Sequence, residues 1–144
     1  MFIRLTPGIA VAAQIAPEDC ARAAAEGFVT VICNRPDGET PGQPDAAVMQ
    51  AAAEAAGLRY AFIPVDQTGI DAAQIAAMVA ELGGGPVLAY CRSGTRSTNL
   101  WALAEATRGG DPQAIASVAA GGGYDISAML PMLRGLAAKS ATGV

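Results

Sequence analysis

Three short, uninterrupted apolar runs organise this chain: residues 28–33, 60–65 and 87–91. Each is rich in β-branched or aromatic side chains, and none alternates polar with apolar. A run without alternation fits a strand buried on both faces, as inside a parallel sheet. Residues 9–11 (Ile-Ala-Val) are a weaker candidate of the same kind. Between these runs lie stretches with helix signals: residues 17–26 before Gly27, 45–56 before Gly57, and 71–82 before Gly83-Gly84-Gly85. Each has an acidic residue or proline at its front and glycine just past its end. Asp71 with Gln74 approximates a capping box. The alternation βαβαβαβ predicts a three-layer α/β fold, a mostly parallel sheet of four to five strands flanked by helices, with right-handed crossovers.

After Cys91 the pattern is helical. One helix is predicted over residues 95–107, stopped by Gly109-Gly110. A second begins at Asp111-Pro112, an N-cap with proline at the first helical position. A third spans 126–138, after Gly121-Gly122-Gly123. Residues 1–139 read as a single catalytic domain and 140–144 as a flexible tail.

With 144 residues, 52% of them apolar and 15% charged, the chain can build one ordinary core and is not of the disordered class. The longest uncharged run is 13 residues, shorter than the ~18 apolar residues of a membrane span. Thr6, Pro7, Gly8 and Gln14 interrupt the first sixteen residues, which argues against a leader peptide and for a cytoplasmic location. A net charge of −4 and a pI near 4.6 make nucleic acid a poor partner. Three cysteines are too few and too scattered for a disulfide framework or a zinc cluster, and no cofactor is expected. The chain has no histidine. That excludes Ser-His and Cys-His dyads, histidine acids and bases, and histidine metal ligands. Chemistry here must run on cysteine, carboxylates, arginine and backbone amides.

The segment Cys91-Arg92-Ser93-Gly94-Thr95-Arg96-Ser97 joins a predicted strand to a predicted helix. In open α/β sheets ligands bind at the carboxyl ends of strands. A cysteine here faces loop N–H groups and the positive end of a helix dipole, and both favour thiolate over thiol. Cys91 is therefore the expected nucleophile. Gly94 lets the loop turn its amides inward. Arg96 is expected to hold an oxyanion bidentately, with Arg92, Ser93, Thr95 and Ser97 completing an anion-binding loop.

This segment closely resembles the active-site loop of rhodanese sulfurtransferases: cysteine, four residues, arginine, then serine or threonine. With Asn34-Arg35-Pro36-Asp37-Gly38-Glu39 and Ile63-Pro64-Val65, it is also similar to the DUF442-type family. That family includes the phosphatase-like domain of beta-lactamase-hydrolase-like proteins, fused there to a metallohydrolase of persulfide-dioxygenase type. The resemblance spans about residues 3–136. It implies a fold like the dual-specificity tyrosine phosphatases, and a functional link to a persulfide dioxygenase. Those phosphatases place five residues between cysteine and arginine, where this chain has four.

The leading expectation is therefore a sulfurtransferase of rhodanese type, moving sulfane sulfur from thiosulfate or a glutathione persulfide through a Cys91 persulfide. Such leaving groups depart without a strong acid. The alternative is a phosphatase acting on a phosphate ester, with Cys91 and Arg96 as before and Asp66 as general acid. A third reading is a redox or anion sensor in which Cys33, ending its strand as Cys91 does, resolves an oxidised Cys91. Arg35 and Asp37 are candidate rim residues, and a solvated turn set by Pro36 and Gly38 is equally compatible. Asp71 reads as a cap, Cys20, Leu100 and Trp101 as packing. Tyr124 and Asp125 read as a turn between helices, or else a mobile rim.

Overall fold

The computed structural model describes residues 1–141. Strands β1 (Ile3–Thr6) and β2 (Ile9–Ala12) form an antiparallel hairpin. The Pro7-Gly8 break in the amino-terminal apolar stretch is its turn. Strands β3 (Thr30–Cys33), β4 (Arg59–Phe62) and β5 (Val87–Tyr90) complete a five-stranded sheet of order β1-β2-β5-β3-β4. Every pairing other than β1 with β2 is parallel. The mostly parallel α/β sheet predicted from the sequence is therefore present. β1 is an addition to the predicted strands; three of its residues are only partly buried and the fourth, Arg4, is exposed.

β5 lies at the centre, bonded to β2 on one side and β3 on the other. All residues of β2, β3 and β5 are buried. β4 departs from the expectation of burial on both faces, because Arg59 and Phe62 are exposed. The reason is its edge position, bonded to β3 alone. The apolar run continues beyond that strand, where Ile63 and Val65 are buried in the connection.

Alternation along the strands divides the core in two. Ala10, Val31, Cys33, Leu88 and Tyr90 face Cys20, Ala23, Met49 and Ala53. These come from helices α1 (Asp19–Ala25) and α2 (Ala46–Ala55). Ile9, Ile32, Val87 and Ala89 face the opposite layer. That layer comprises α3 (Ala72–Leu82), α4 (Thr95–Thr107), α5 (Pro112–Gly121) and α6 (Leu130–Ala141). A short 3-10 turn, Ser127–Met129, precedes α6. Because α6 runs through Ser140 and Ala141, those two residues are helical rather than tail. Residues 142–144 of the expected tail lie outside the described residues.

Two predicted caps form: Asp71 with Gln74 makes a full capping box, and Asp111 accepts from the Ala114 N–H at 2.9 Å. α4 is the buried helix of the fold, touching α3, α5 and α6, with Leu100 and Trp101 both in the core. Its first turn follows directly from the end of β5, so the packing that fixes α4 also fixes the loop between them. Leu100 has no exposed surface. Leu100→Ala is expected to cost about 2–5 kcal/mol through lost burial and the residual cavity. The check is a lower urea midpoint with an unchanged m-value.

Candidate active site

Cys91 directly follows β5 at the centre of the sheet, and its N–H donates to the Ala12 carbonyl at 3.3 Å. It is 1% exposed, so its sulfur lies at the floor of the loop. Gly94 turns the chain at φ +90° and caps α4. Its N–H donates to Cys91 Sγ at 3.1 Å. Of the amides expected to face the sulfur, this is the one whose bond forms. The Thr95 N–H instead meets Ser93 Oγ at 3.4 Å, and Ser93 Oγ donates to Thr95 Oγ1 at 2.9 Å. Arg92, Ser93 and Thr95 are exposed on the outer rim. Ser97 Oγ is buried without a partner among the described residues, rather than bonded to the thiol.

Arg96 is held by three bonds. Nη1 donates to Glu39 Oε2 and to the Val65 carbonyl, and Nη2 to Glu39 Oε1, all at 2.8 Å. A guanidinium has five N–H donors in one plane. The two left over sit on Nε and Nη2 and form a parallel fork of the kind that grips an oxyanion. The head group lies within hydrogen-bonding and charge reach of Cys91. Its pKa is raised first by Glu39 and further by Cys91.

Glu39 also accepts from Arg35 Nε at 2.9 Å. Arg35 is 4% exposed and further bonded to Gln14 Oε1 at 3.0 Å and Thr40 Oγ1 at 3.2 Å. It is therefore neither a free rim cation nor a solvated turn residue. Asp37 is not aimed at the loop either. Its Oδ1 accepts from the Ala46 N–H at 2.8 Å, capping α2 where Asp45 makes no side-chain cap.

Asp66 lies beside Arg96 on a cleft of about 300 Å³. The cleft is lined by Val65, Ile70, Asn99, Leu103, Met129 and Met132 among others, and Cys91 is not part of its wall. The Asp66 carboxylate accepts from the Thr68 hydroxyl and from the Thr68 N–H. These two bonds hold its pKa below the usual carboxylate value.

Cys33, the expected resolving cysteine, is a buried free thiol. It is in register with Tyr90, and both belong to the core on the α1–α2 face. Cys91 lies one residue beyond that pair, and both thiols are free. The Cys33 thiol bonds to the Arg35 carbonyl at 3.2 Å. Burial pushes its pKa up, against the opposing hydrogen bond with the Tyr90 hydroxyl.

Asn34 and Glu39 bound the 34–39 motif that carries the family resemblance, though without a role of their own, and Gln14 carried no functional signal. Asn34 ties the neighbourhood together: its N–H donates to the Tyr90 carbonyl, its carbonyl accepts from Val65, and its Nδ2 donates to the Ile63 carbonyl. Among the described residues no three histidine, cysteine or acidic side chains gather as a metal site. No helix there is long and apolar enough to cross a membrane.

The sheet order, the strand-end cysteine and the arginine at the start of α4 define a phosphatase-like α/β domain. Residues 2–108 match the family described as the phosphatase-like domain of beta-lactamase hydrolase-like protein, and the chain belongs to that family. It is 40% identical over 109 residues to the beta-lactamase hydrolase-like protein of Agrobacterium fabrum. That match takes in 74% of this chain and 25% of the relative, so the chain spans about a quarter of the relative's length. Among solved structures it is similar to a candidate phosphatase from Neisseria meningitidis, at 31% identity and a TM-score of 0.79. The match covers 93% of this chain and 96% of that one. PTPMT1 shares the fold at 18% identity, with a TM-score of 0.78 over 99% of this chain and 98% of that one.

The Glu39 carboxyl is held down to about 2, first by the hydrogen bond from Arg96 and then by Arg35, with burial opposing. A carboxyl depressed in the folded state stabilises the protein above its unfolded value, and that contribution is lost as pH falls through its folded value. Glu39→Gln is expected to melt a few degrees below the parent protein at neutral pH. The gap should narrow below about pH 4.5 and close toward about pH 2. Melting curves across that range are the check, and a gap independent of pH would separate Glu39 from Arg96.

Proposed function

We propose that this domain is a cysteine-dependent phosphatase for small phosphate monoesters. The observation that carries the reading is the pairing of two elements. The Cys91 sulfur lies under the Gly94 N–H at 3.1 Å, and an Arg96 fork is braced by Glu39 from behind. The thiolate attacks phosphorus, the S–P bond forms and the ester P–O bond breaks. Water then attacks phosphorus, releasing phosphate and restoring the thiolate. The Arg96 fork holds two phosphoryl oxygens as charge develops on them. The cleft beside Arg96 and Asp66 has room for part of the ester's organic group. Membership in a phosphatase-like family supports this reading over the sulfur-transfer reading that the loop sequence favours.

Asp66 enters this scheme weakly. General acid catalysis contributes about 10²–10⁴-fold where a protonated group is in place. Two hydrogen bonds from Thr68 lower the Asp66 pKa, so aryl phosphates, whose leaving groups need little acid help, are the substrates to try first.

A second reading is retained for a specific observation. Four residues separate Cys91 from Arg96, the spacing of the rhodanese-type loop, and sulfane donors have leaving groups that depart without an acid. Under this reading Cys91 takes the outer sulfur of thiosulfate, releasing sulfite, or that of a glutathione persulfide, releasing glutathione thiolate. A thiol then accepts the sulfur, in company with a persulfide dioxygenase.

The deciding experiment is turnover of an aryl phosphate beside intact-mass analysis of enzyme quenched with aryl phosphate or with thiosulfate. The phosphatase reading expects a phosphoryl adduct on Cys91, absent in Cys91→Ser, and a loss of about 10²–10³ in kcat for Arg96→Lys. Asp66→Asn is expected to change aryl phosphate turnover less than about threefold, against the far larger loss expected of a working acid. A sulfur adduct with no phosphoryl adduct would install the second reading, and neither adduct would remove both.

A further inference from the structure

The turn after α5 brings Tyr124 onto the loop, from beyond residue 108, where the family match ends. Tyr124 is half-buried, and its Oη donates to the Ser93 carbonyl at 3.0 Å. The Ser93 carbonyl and the Gly94 N–H belong to one planar trans peptide, in which the two groups point in opposite directions. The Gly94 N–H is the group that bonds Cys91 Sγ. Holding the carbonyl outward on Tyr124 therefore holds the N–H inward on the sulfur. The same bond polarises the peptide and makes its N–H a stronger donor. Glycine at 94 is needed twice over: its φ is +90°, and a Cβ there would run into the Tyr124 hydroxyl.

We propose that Tyr124 is a positioning residue, whose hydroxyl fixes the Ser93–Gly94 peptide plane so that the Gly94 N–H stays on the Cys91 sulfur. The turn between α5 and α6 is then part of the reactive unit. The proposal rests on Cys91 being the nucleophile, whether phosphorus or sulfur is attacked.

Several charged or titratable groups surround Cys91. Arg96 approaches from α4 with Glu39 behind it, Arg92 lies on the loop, and Asp66 flanks Arg96 on its cleft side. Tyr124 approaches from the turn; burial and then the charge of Cys91 push its pKa up, so it remains a donor. Tyr90, Cys33 and Tyr60 occupy the opposite face of the sheet. Tyr124→Phe removes one hydroxyl and leaves the rest in place.

The test measures alkylation of Cys91 by iodoacetamide against pH, read by peptide mass mapping so that Cys20 and Cys33 are scored apart. Tyr124→Phe is expected to move the rate profile to higher pH. Near pH 6 its rate should be about three- to tenfold lower, the equivalent of half to one pH unit, and the two rates should converge at alkaline pH. A second variant, Tyr124→Met, also lacks the donor and should show the same shift, whereas a shift confined to Tyr124→Phe would assign the effect to packing and overturn the proposal. A purely structural Tyr124 would lower the melting temperature or scale the rate equally at every pH. Superimposable profiles for parent and variants would overturn the proposal while leaving Cys91 as nucleophile. A parent Cys91 that neither alkylates nor forms an adduct would overturn the nucleophile reading, and this inference with it.

Discussion

Glu39 binds two guanidinium groups with one carboxylate, and the arrangement of the reactive end of the sheet follows from that sharing. Arg35 is buried, and a buried charge is tolerated only when paired. Glu39 supplies the pairing, with Gln14 and Thr40 taking the donors that remain. The same carboxylate squares up the end of Arg96, and the Val65 carbonyl takes its third donor. Three separate connections, after β2, β3 and β4, are thereby tied to the first turn of α4. The Arg96 plane is thus fixed in advance, so under the proposed function binding need not spend free energy on ordering it.

The layered fold could be read from local patterns because its determinants are local. β3 and β5 are apolar at successive positions because both faces are covered, and the capping box of α3 is spelled by Asp71 and Gln74. Tertiary position decided the rest. β4 carries the same kind of apolar run, but its edge location exposes Phe62 and Arg59. α2 takes its cap from Asp37, nine residues from the amide it caps, instead of the adjacent Asp45. β1 is too short and too polar to announce itself, and exists because β2 offers it a free edge.

The candidate site divides in the same way. Cys91, Gly94 and Arg96 fall in one heptapeptide, and a strand–loop–helix reading places them together. Glu39 is 57 residues from Arg96, Gln14 is 21 from Arg35, and Tyr124 is 31 from Ser93. No spacing rule connects such pairs, since only the folded chain sets them side by side. Asp66 shows the converse. Its strand-end position suggested an acid, but the residue two places on, Thr68, captures the carboxylate in a local turn. Cys33 ends β3 and pairs in register with Tyr90, one residue before Cys91, and its thiol bonds to the Arg35 carbonyl.

The clamped guanidinium also carries a stereochemical consequence. With its end held by Glu39 and one further donor on Val65, the Arg96 plane cannot rotate about its own axis. A tetrahedral anion that offers two oxygens to the remaining fork is then fixed in orientation about its central atom. Under the proposed function an oxyanion would therefore be met in one fixed plane, set by a single planar group held at its far end.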